Sequence, residues 1–270
     1  MTWIERDVHS NGQRLNVIHS PDLQAKPVVV LVHGFTDSAR CWQSLMEPLE
    51  AEYALIAYDQ RGHGSSTRVT SRFSLFDLVD DLLGVLDAMQ VQRAALIGHS
   101  LGALVVLAAG AAHPRRMTGI IAEDPPLAPV LVQPDFNQWR ADHARVLTEP
   151  REKLAAQYRN VQYPTWSETD IETRVDARLQ ADLRLFDLLD WAAPPHWTEW
   201  IAPLSAPLLL LGGNPEKGGV LHPQMAEQVL RLCPQATFRR FDELGHHLRC
   251  EQPATYLALV RDFLGGLSPA

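Results

Sequence analysis

The sequence is poor in cysteine, in long apolar runs and in clusters of basic residues. Its three cysteines, Cys41, Cys233 and Cys250, are widely spaced and odd in number. We therefore expect neither a disulfide framework nor a zinc site built from CxxC pairs. No apolar stretch approaches the roughly 20 residues that cross a bilayer, and no basic segment followed by an apolar run opens the chain. We expect no membrane partner, no secretory signal and a cytoplasmic location.

Basic residues are also too few to attract a polyanion. The chain has 24 Lys and Arg against 32 Asp and Glu, for a formal charge of −8, so a phosphate backbone would be repelled and we do not expect nucleic acid as a partner. No set of His, Cys, Asp and Glu has a spacing that predicts a metal site. The 270 residues, 46% of them apolar, suffice for one large domain or for a core domain with an inserted cap.

Short apolar runs predict the strands of a buried sheet. Unbroken runs of this kind are typical of parallel strands that are covered on both faces. They lie at residues 28–32, 54–58, 94–98, 119–122 and 208–211, with a sixth candidate at 237–241. Before them, two alternating segments flank Asn11-Gly12, a dipeptide that favours the two-residue turn of an antiparallel hairpin.

Helical patterns alternate with these strands. They lie at residues 77–89, 101–112, 224–232 and 254–264, with apolar residues at helical spacing. The alternation predicts an α/β fold with a mainly parallel, doubly wound sheet, helices on both faces and an N-terminal hairpin.

One long segment breaks the alternation. Residues 125–207 hold no convincing central strand, and they carry helical patterns at 136–147, 151–159 and 168–189, together with five of the seven tryptophans. We interpret this segment as a helical cap. The remaining residues, 1–124 and 208–270, would form the core domain.

A nucleophile is predicted where the third buried strand meets its helix. The residues Gly98 to Gly102 read Gly-His-Ser-Leu-Gly, and a Gly-x-Ser-x-Gly sequence between a strand and a helix places its serine at the apex of a sharp turn. The glycines remove side chains that would collide there. Ser100 would then present its hydroxyl near a helix N-terminus, which favours negative charge.

A serine hydroxyl needs a base, and the base needs a carboxylate to fix its tautomer. His246, which follows a glycine after the last predicted strand, is our candidate base, with His247 as the alternative. Glu216, the only acid in the loop after residues 208–211, is our candidate carboxylate. A rival pair, Glu123 and Asp124, follows the preceding strand and would reach the same histidine from the neighbouring loop.

Backbone N–H groups must stabilise the oxyanion of a tetrahedral intermediate. Leu101, directly after the serine, would supply one donor. Phe35 would supply the second, because it follows Gly34 in the loop after the first buried strand, where the backbone can approach a substrate closely.

These motifs together resemble the α/β-hydrolase family along nearly the whole chain. The resemblance rests on His33-Gly34-Phe35, the Asp59 to Ser66 turn, Gly98 to Gly102, and Gly245-His246, and the order of serine, acid and histidine is that of the family. The segment from Asn214 to Gly219, with Glu in place of the commoner Asp, is similar to bacterial hydrolases that include N-acyl homoserine lactonases. Epoxide hydrolases and haloalkane dehalogenases, in which an Asp is the nucleophile, resemble it less.

The resemblance implies a serine hydrolase that cleaves a small carboxylic ester or lactone through an acyl-enzyme. Trp139, Trp166 and Trp191 of the cap are candidates for an apolar substrate pocket, although packing of the cap would also account for them. No cofactor is implied, and the oligomeric state is left open. Three alternatives remain at this stage: a carbon–carbon bond hydrolase, a cofactor-free perhydrolase, and a ligand receptor of low turnover.

Overall fold

A single sheet runs through the molecule. The computed structural model describes residues 3–127, 136–190 and 197–267, and its strands are β1 (Ile4–Ser10), β2 (Gln13–His19), β3 (Val28–Val32), β4 (Ala54–Tyr58), β5 (Ala94–His99), β6 (Met117–Glu123), β7 (Leu208–Gly212) and β8 (Ala236–Arg240). They are ordered β1-β2-β4-β3-β5-β6-β7-β8. The pairs from β4 to β8 are parallel, whereas β2 is antiparallel to both β1 and β4. The predicted fold class is confirmed.

The N-terminal hairpin turns at the residues that the sequence indicated. Asn11 and Gly12 have φ values of 46° and 71°, which is the positive-φ backbone that a tight hairpin turn requires at both central positions. The register of β1 and β2 follows, with Ser10 opposite Gln13.

Helices cover both faces of the sheet. They are α1 (Gln43–Leu49), α2 (Leu75–Ala88), α3 (Leu101–Ala112), α9 (Pro223–Leu232), α10 (Leu248–Glu251) and α11 (Pro253–Gly265). Successive β3 residues point to opposite faces: Val30 and Val32 pack with α2, α3 and α9, and Val29 and Leu31 pack with α1, α10 and α11. This two-sided burial explains why the strand is apolar throughout. Within the described residues, none of the helices combines the length and the apolarity needed to span a bilayer.

The described residues between β6 and β7 are mostly helical. They form α4 (Phe136–Val146), α5 (Arg151–Gln157), α6 (Glu168–Gln180), α7 (Leu185–Leu188) and α8 (Trp197–Ile201), and α5 and α6 share a small apolar cluster of their own. The single helix predicted over residues 168–189 is interrupted, because the Asp182 N–H donates to the carbonyl of Gly62 in the core. We refer to residues 136–201 as the cap; the division of the chain at residues 124 and 208 stays a prediction.

Candidate active site

Ser100 occupies the turn between β5 and α3. Its φ of 54° and ψ of −117° lie in a region that residues other than glycine rarely adopt, and such strain concentrates at functional sites. The Ser100 N–H donates to the Glu123 carbonyl at 2.9 Å, which fixes the turn against the end of β6. The serine is thereby held at the carboxyl edge of the parallel sheet.

The two glycines of the motif leave space for the backbone of this turn. A Cβ atom on Gly98 would lie 2.2 Å from the Gly102 carbonyl oxygen, and one on Gly102 would lie 2.1 Å from the Val32 carbonyl oxygen. Both contacts are with backbone atoms, which cannot rotate away. Only glycine therefore lets α3 begin so close to β3 and β5.

The imidazole of His246 faces a buried carboxylate. Its Nδ1 lies 2.6 Å from Asp124 Oδ2, and Asp124 is fully buried whereas His246 is 23% exposed. The two residues are 122 positions apart. His99, the neighbour of Ser100, has its Nε2 3.0 Å from the backbone carbonyl oxygen of His246, so the serine and the histidine share one edge of the sheet.

Backbone N–H groups surround the Asp124 carboxylate. Gly213 and Leu221 donate to Oδ1 at 3.1 Å each, and Val220 donates to Oδ2 at 2.8 Å. Burial would raise the pKa of Asp124, but the hydrogen bond with His246 and the N–H groups of Val220 and Leu221 hold the pKa below its ordinary value. The carboxylate is therefore ionised and aimed at the histidine.

The prediction of Glu216 as the carboxylate beside the histidine does not match the structure. Glu216 lies in the short 3-10 helix Pro215–Lys217, where its N–H is bound by the Asn214 side chain and its own side chain is exposed. The loop contributes backbone rather than a carboxylate: residues 213, 220 and 221 at its two ends hold Asp124. The acid that meets His246 is thus one of the two predicted rivals.

The other rival, Glu123, has different partners. It is fully buried, and it accepts hydrogen bonds from Arg249 and from the Tyr256 hydroxyl at 3.1 Å. His247 is also turned away from Asp124: its ring contacts Trp166 and His99. Burial holds the pKa of His247 well below its ordinary value.

The two predicted oxyanion donors follow two neighbouring strands, β3 and β5. Leu101 is the first residue of α3, and an N–H in the first turn of a helix has no acceptor within that helix. Phe35 follows β3, which pairs directly with β5, and an Asp37 N–H to Gly34 carbonyl bond of 3.1 Å closes the turn around it. The assignment of Phe35 and Leu101 as oxyanion donors stays a prediction.

A family model described as the α/β hydrolase fold matches residues 27–251. The chain belongs to this family. Epoxide hydrolase B of Mycobacterium tuberculosis is 36% identical over 132 residues, which cover 47% of this chain and 37% of that protein. The match therefore spans little more than a third of that relative. Esterase YbfF of Escherichia coli is 28% identical over 244 residues, which cover 87% of this chain and 92% of that protein.

Solved structures of α/β hydrolases share the fold at low identity. The N-formylmaleamic acid deformylase of Pseudomonas putida S16 has a TM-score of 0.79 at 23% identity, covering 95% of this chain and all of that one. Est816, described as an N-acyl homoserine lactone degrading enzyme, has a TM-score of 0.75 at 21% identity, covering 96% of this chain and all of that one. At these identities the likeness concerns the fold alone.

Aromatic side chains of the cap meet the loop that carries Phe35 in this α/β hydrolase. The Phe35 ring lies 4.9 Å from Trp139 and 4.8 Å from Phe186 between centroids. Trp166 lies farther along the same edge, 4.9 Å from His247. Two predicted pocket tryptophans thus contact the core beside the site, and the third, Trp191, lies outside the described residues.

One set of metal-ligand atoms converges in the described part of the chain. Oxygen or nitrogen atoms of Asp37, His99 and His247 lie within 4.8 Å of one another. However, the Asp37 carboxylate is already paired with Arg174, and Arg249 Nη2 lies 3.5 Å from it. Two guanidinium groups at the same carboxylate oppose a further cation, so this set does not support a metal-dependent reaction.

Sequence reasoning missed this buried charge cluster. Asp37 and Arg174 are 137 positions apart, and neither belongs to a recognisable short motif. The available signal was weak: Asp37 follows Phe35 closely, and Arg174 lies within a helical pattern of the predicted cap. Their pairing depends on how the cap lies on the core, which no local pattern encodes.

Proposed function

We propose that this hydrolase cleaves a small carboxylic ester or lactone through an acyl-enzyme on Ser100. The Ser100 Oγ attacks the carbonyl carbon while its proton passes to His246 Nε2. The histidine then gives that proton to the departing alkoxide, leaving an acyl ester on the serine. The same nitrogen next removes a proton from water as the water oxygen attacks the acyl carbonyl carbon. The bond to the serine oxygen then breaks, the carboxylic acid is released, and His246 returns the proton to the serine oxygen.

The contact between His246 and Asp124 carries this proposal. A carboxylate can only accept at 2.6 Å, so His246 Nδ1 bears the proton and Nε2 is the nitrogen with a free lone pair. That is the tautomer a general base requires. Asp124 also stabilises the imidazolium that forms when Nε2 takes the serine proton.

The oxyanion would be stabilised by the N–H groups of Phe35 and Leu101. Their positions just after the carboxyl ends of the paired strands β3 and β5 support this assignment, together with the positive end of the α3 dipole. Because the charge develops on the carbonyl oxygen only during attack, these donors favour the transition state over the bound substrate.

The aromatic cluster of Phe35, Trp139 and Phe186 supports an apolar acyl chain or ring on the substrate. The cluster lies directly beside the proposed oxyanion donor Phe35, and aromatic rings contribute large apolar contact areas. We propose Trp139 and, on the histidine side, Trp166 as pocket residues.

The similarity to epoxide hydrolase B does not extend the proposal to epoxides. A serine that opened an epoxide would form an ether, and water activated by a histidine does not hydrolyse an ether. An acyl ester on Ser100, by contrast, has an electrophilic carbonyl that the same water can attack. The identity of residue 100 therefore favours carbonyl substrates.

A substrate panel tests the proposal. Purified enzyme is assayed against p-nitrophenyl esters of two to twelve carbons, a series of γ-lactones with and without an N-acyl substituent, and a vinylogous diketone. We expect turnover of an ester or lactone, lost in Ser100→Ala. Turnover of the diketone alone would instead establish a carbon–carbon hydrolase, and labelling of Ser100 without turnover of any member would indicate a receptor.

Because the three buried cysteines are free, we also propose a reducing compartment, the cytoplasm.

A further inference from the structure

We propose that His99, Asp37 and Arg174 are positioning residues that hold the backbone of His246 and make its position depend on docking of the cap. This inference rests on the proposed function, because it assigns a role only through the proposed base. It concerns a different set of contacts, however: those to the His246 backbone rather than to its imidazole. The three residues are all buried.

The first link joins His99 to His246. Since a carbonyl oxygen can only accept, the 3.0 Å contact requires that His99 Nε2 carries a proton and donates it. The two rings also lie 4.6 Å apart between centroids. His99 directly precedes Ser100, so one short segment both carries the nucleophile and restrains the loop of the base.

The second link joins His99 to Asp37. Asp37 Oδ2 lies 3.4 Å from His99 Nδ1. Because burial lowers the pKa of His99 and the single ring proton lies on Nε2, Nδ1 has no hydrogen to donate, and this link is a packing contact rather than a hydrogen bond. Gly34 makes this approach possible, because a Cβ on Gly34 would lie 2.8 Å from His99 Nδ1 and 3.2 Å from Asp37 Oδ2. The loop that supplies the proposed donor Phe35 is therefore packed directly against the imidazole that holds His246.

The third link joins Asp37 to the cap. Arg174 of α6 forms an ion pair with Asp37 and donates to the Thr36 carbonyl at 3.2 Å. Burial would raise the pKa of Asp37, but Arg174 and its other partners hold the pKa well below its ordinary value. Arg249 Nη2 remains 3.5 Å from Asp37 Oδ2, so loss of Arg174 would leave the carboxylate one cationic partner.

These links form a continuous path from the cap to the proposed base. A buried ion pair of this kind gains little net stability, because both charges lose their hydration. Its geometry is nevertheless specific: it fixes α6 on the loop of Phe35, and through His99 it fixes the backbone of His246. A misplacement of about 1 Å in such an arrangement can cost about 100-fold in rate.

Two substitutions of His99 separate positioning from packing. In His99→Gln, the amide nitrogen lies near the place of Nε2 and can still donate to the His246 carbonyl; in His99→Asn, the shorter side chain cannot reach it. The readout is the rate at which a fluorophosphonate labels Ser100, since this reaction needs the base but no substrate binding. We expect a 10- to 100-fold slower rate for His99→Asn and a rate within about threefold of the parent for His99→Gln.

A second pair of variants tests the cap. Arg174→Met removes the link to Asp37. Arg151→Met is the matched control, because Arg151 forms its ion pairs with Glu172 and Asp176, which also belong to the cap. We expect Arg174→Met to lower kcat about tenfold with Arg151→Met unchanged. If His99→Asn folds and labels at the parental rate, or if the two arginine variants have equal kcat, the proposed path is wrong. Should His99→Asn fail to fold, the arginine pair decides alone. Failure of the proposed function would appear separately, as a parent enzyme in which Ser100 is not labelled.

Discussion

Asp124 Oδ2 lies 2.6 Å from His246 Nδ1, although the two residues are 122 positions apart and belong to different loops. Asp124 has a φ of 47°, which turns its side chain from the end of β6 toward the loop after β8. Three backbone N–H groups complete its coordination. Asp124 is thus held in place by the backbone on one side and by the imidazole on the other.

Asp124→Asn should lower kcat/KM by about 10³ to 10⁴, because an amide at this position no longer selects the Nδ1–H tautomer of His246. Glu216→Gln should leave kcat/KM within about twofold of the parent, since the Glu216 side chain is exposed. Steady-state kinetics on the best ester or lactone measures both. Equal losses in the two variants, or a loss only in Glu216→Gln, would show that Asp124 is not the acid.

Gly102→Ala should destabilise the fold by about 3 kcal/mol, because the new Cβ would lie 2.1 Å from the Val32 carbonyl oxygen and overpacking against backbone cannot be relieved by a rotamer change. Gly265→Ala is the matched control. Gly265 is the last residue of α11, and nothing lies within 4 Å of a Cβ added there. We expect its free energy of unfolding to stay within about 1 kcal/mol of the parent. Urea denaturation followed by circular dichroism measures the difference. Equal stability of the two variants would contradict the steric account of the turn.

Stability should fall as the pH is lowered from about 6.5 to about 4. Burial and the nearby Arg178 guanidinium lower the pKa of His143 to about 4, whereas the unfolded residue titrates near 6.5. Between these values the unfolded chain binds a proton that the folded chain excludes, so protonation favours unfolding, by up to about 3 kcal/mol in total. Burial lowers the pKa of four further histidines in the same direction: His33, His63, His99 and His247.

The contribution of His143 can be isolated. His143→Gln removes its titration, and the free energy of unfolding should then depend less steeply on pH across that window, by up to about 1.4 kcal/mol per pH unit. His113→Gln, which changes an exposed histidine, should keep the parental slope. Urea titrations at pH 4, 5, 6 and 7 provide the comparison. An unchanged slope in His143→Gln would show that this histidine does not couple stability to pH.

The sheet was predictable because local pattern decides it. The runs at residues 28–32 and 54–58 coincide with β3 and β4, since a strand buried on both faces must be apolar at every position. The turn at Asn11 and Gly12 was equally predictable, because positive φ at both positions restricts the residue types that fit. These features depend only on residues close together in the chain.

The carboxylate and the buried charges were not predictable in the same way. Asp124 and Glu216 both follow strands whose carboxyl ends meet at one edge, and only the path of the backbone decides which reaches His246. The interruption of the helix predicted at 168–189 likewise depends on Asp182 meeting Gly62. The choice of carboxylate and the end of the helix both depend on contacts between distant segments, which sequence periodicity does not report.

The most direct test of the account is the site and rate of covalent labelling at Ser100. Parent enzyme and His246→Ala are treated with a fluorophosphonate, and peptides are mapped by mass spectrometry over time. We expect a single adduct on Ser100 in the parent, and we expect it to form at least about 10³-fold more slowly without the His246 imidazole. An adduct on another residue, or labelling of Ser100 at equal rates in both proteins, would contradict this expectation.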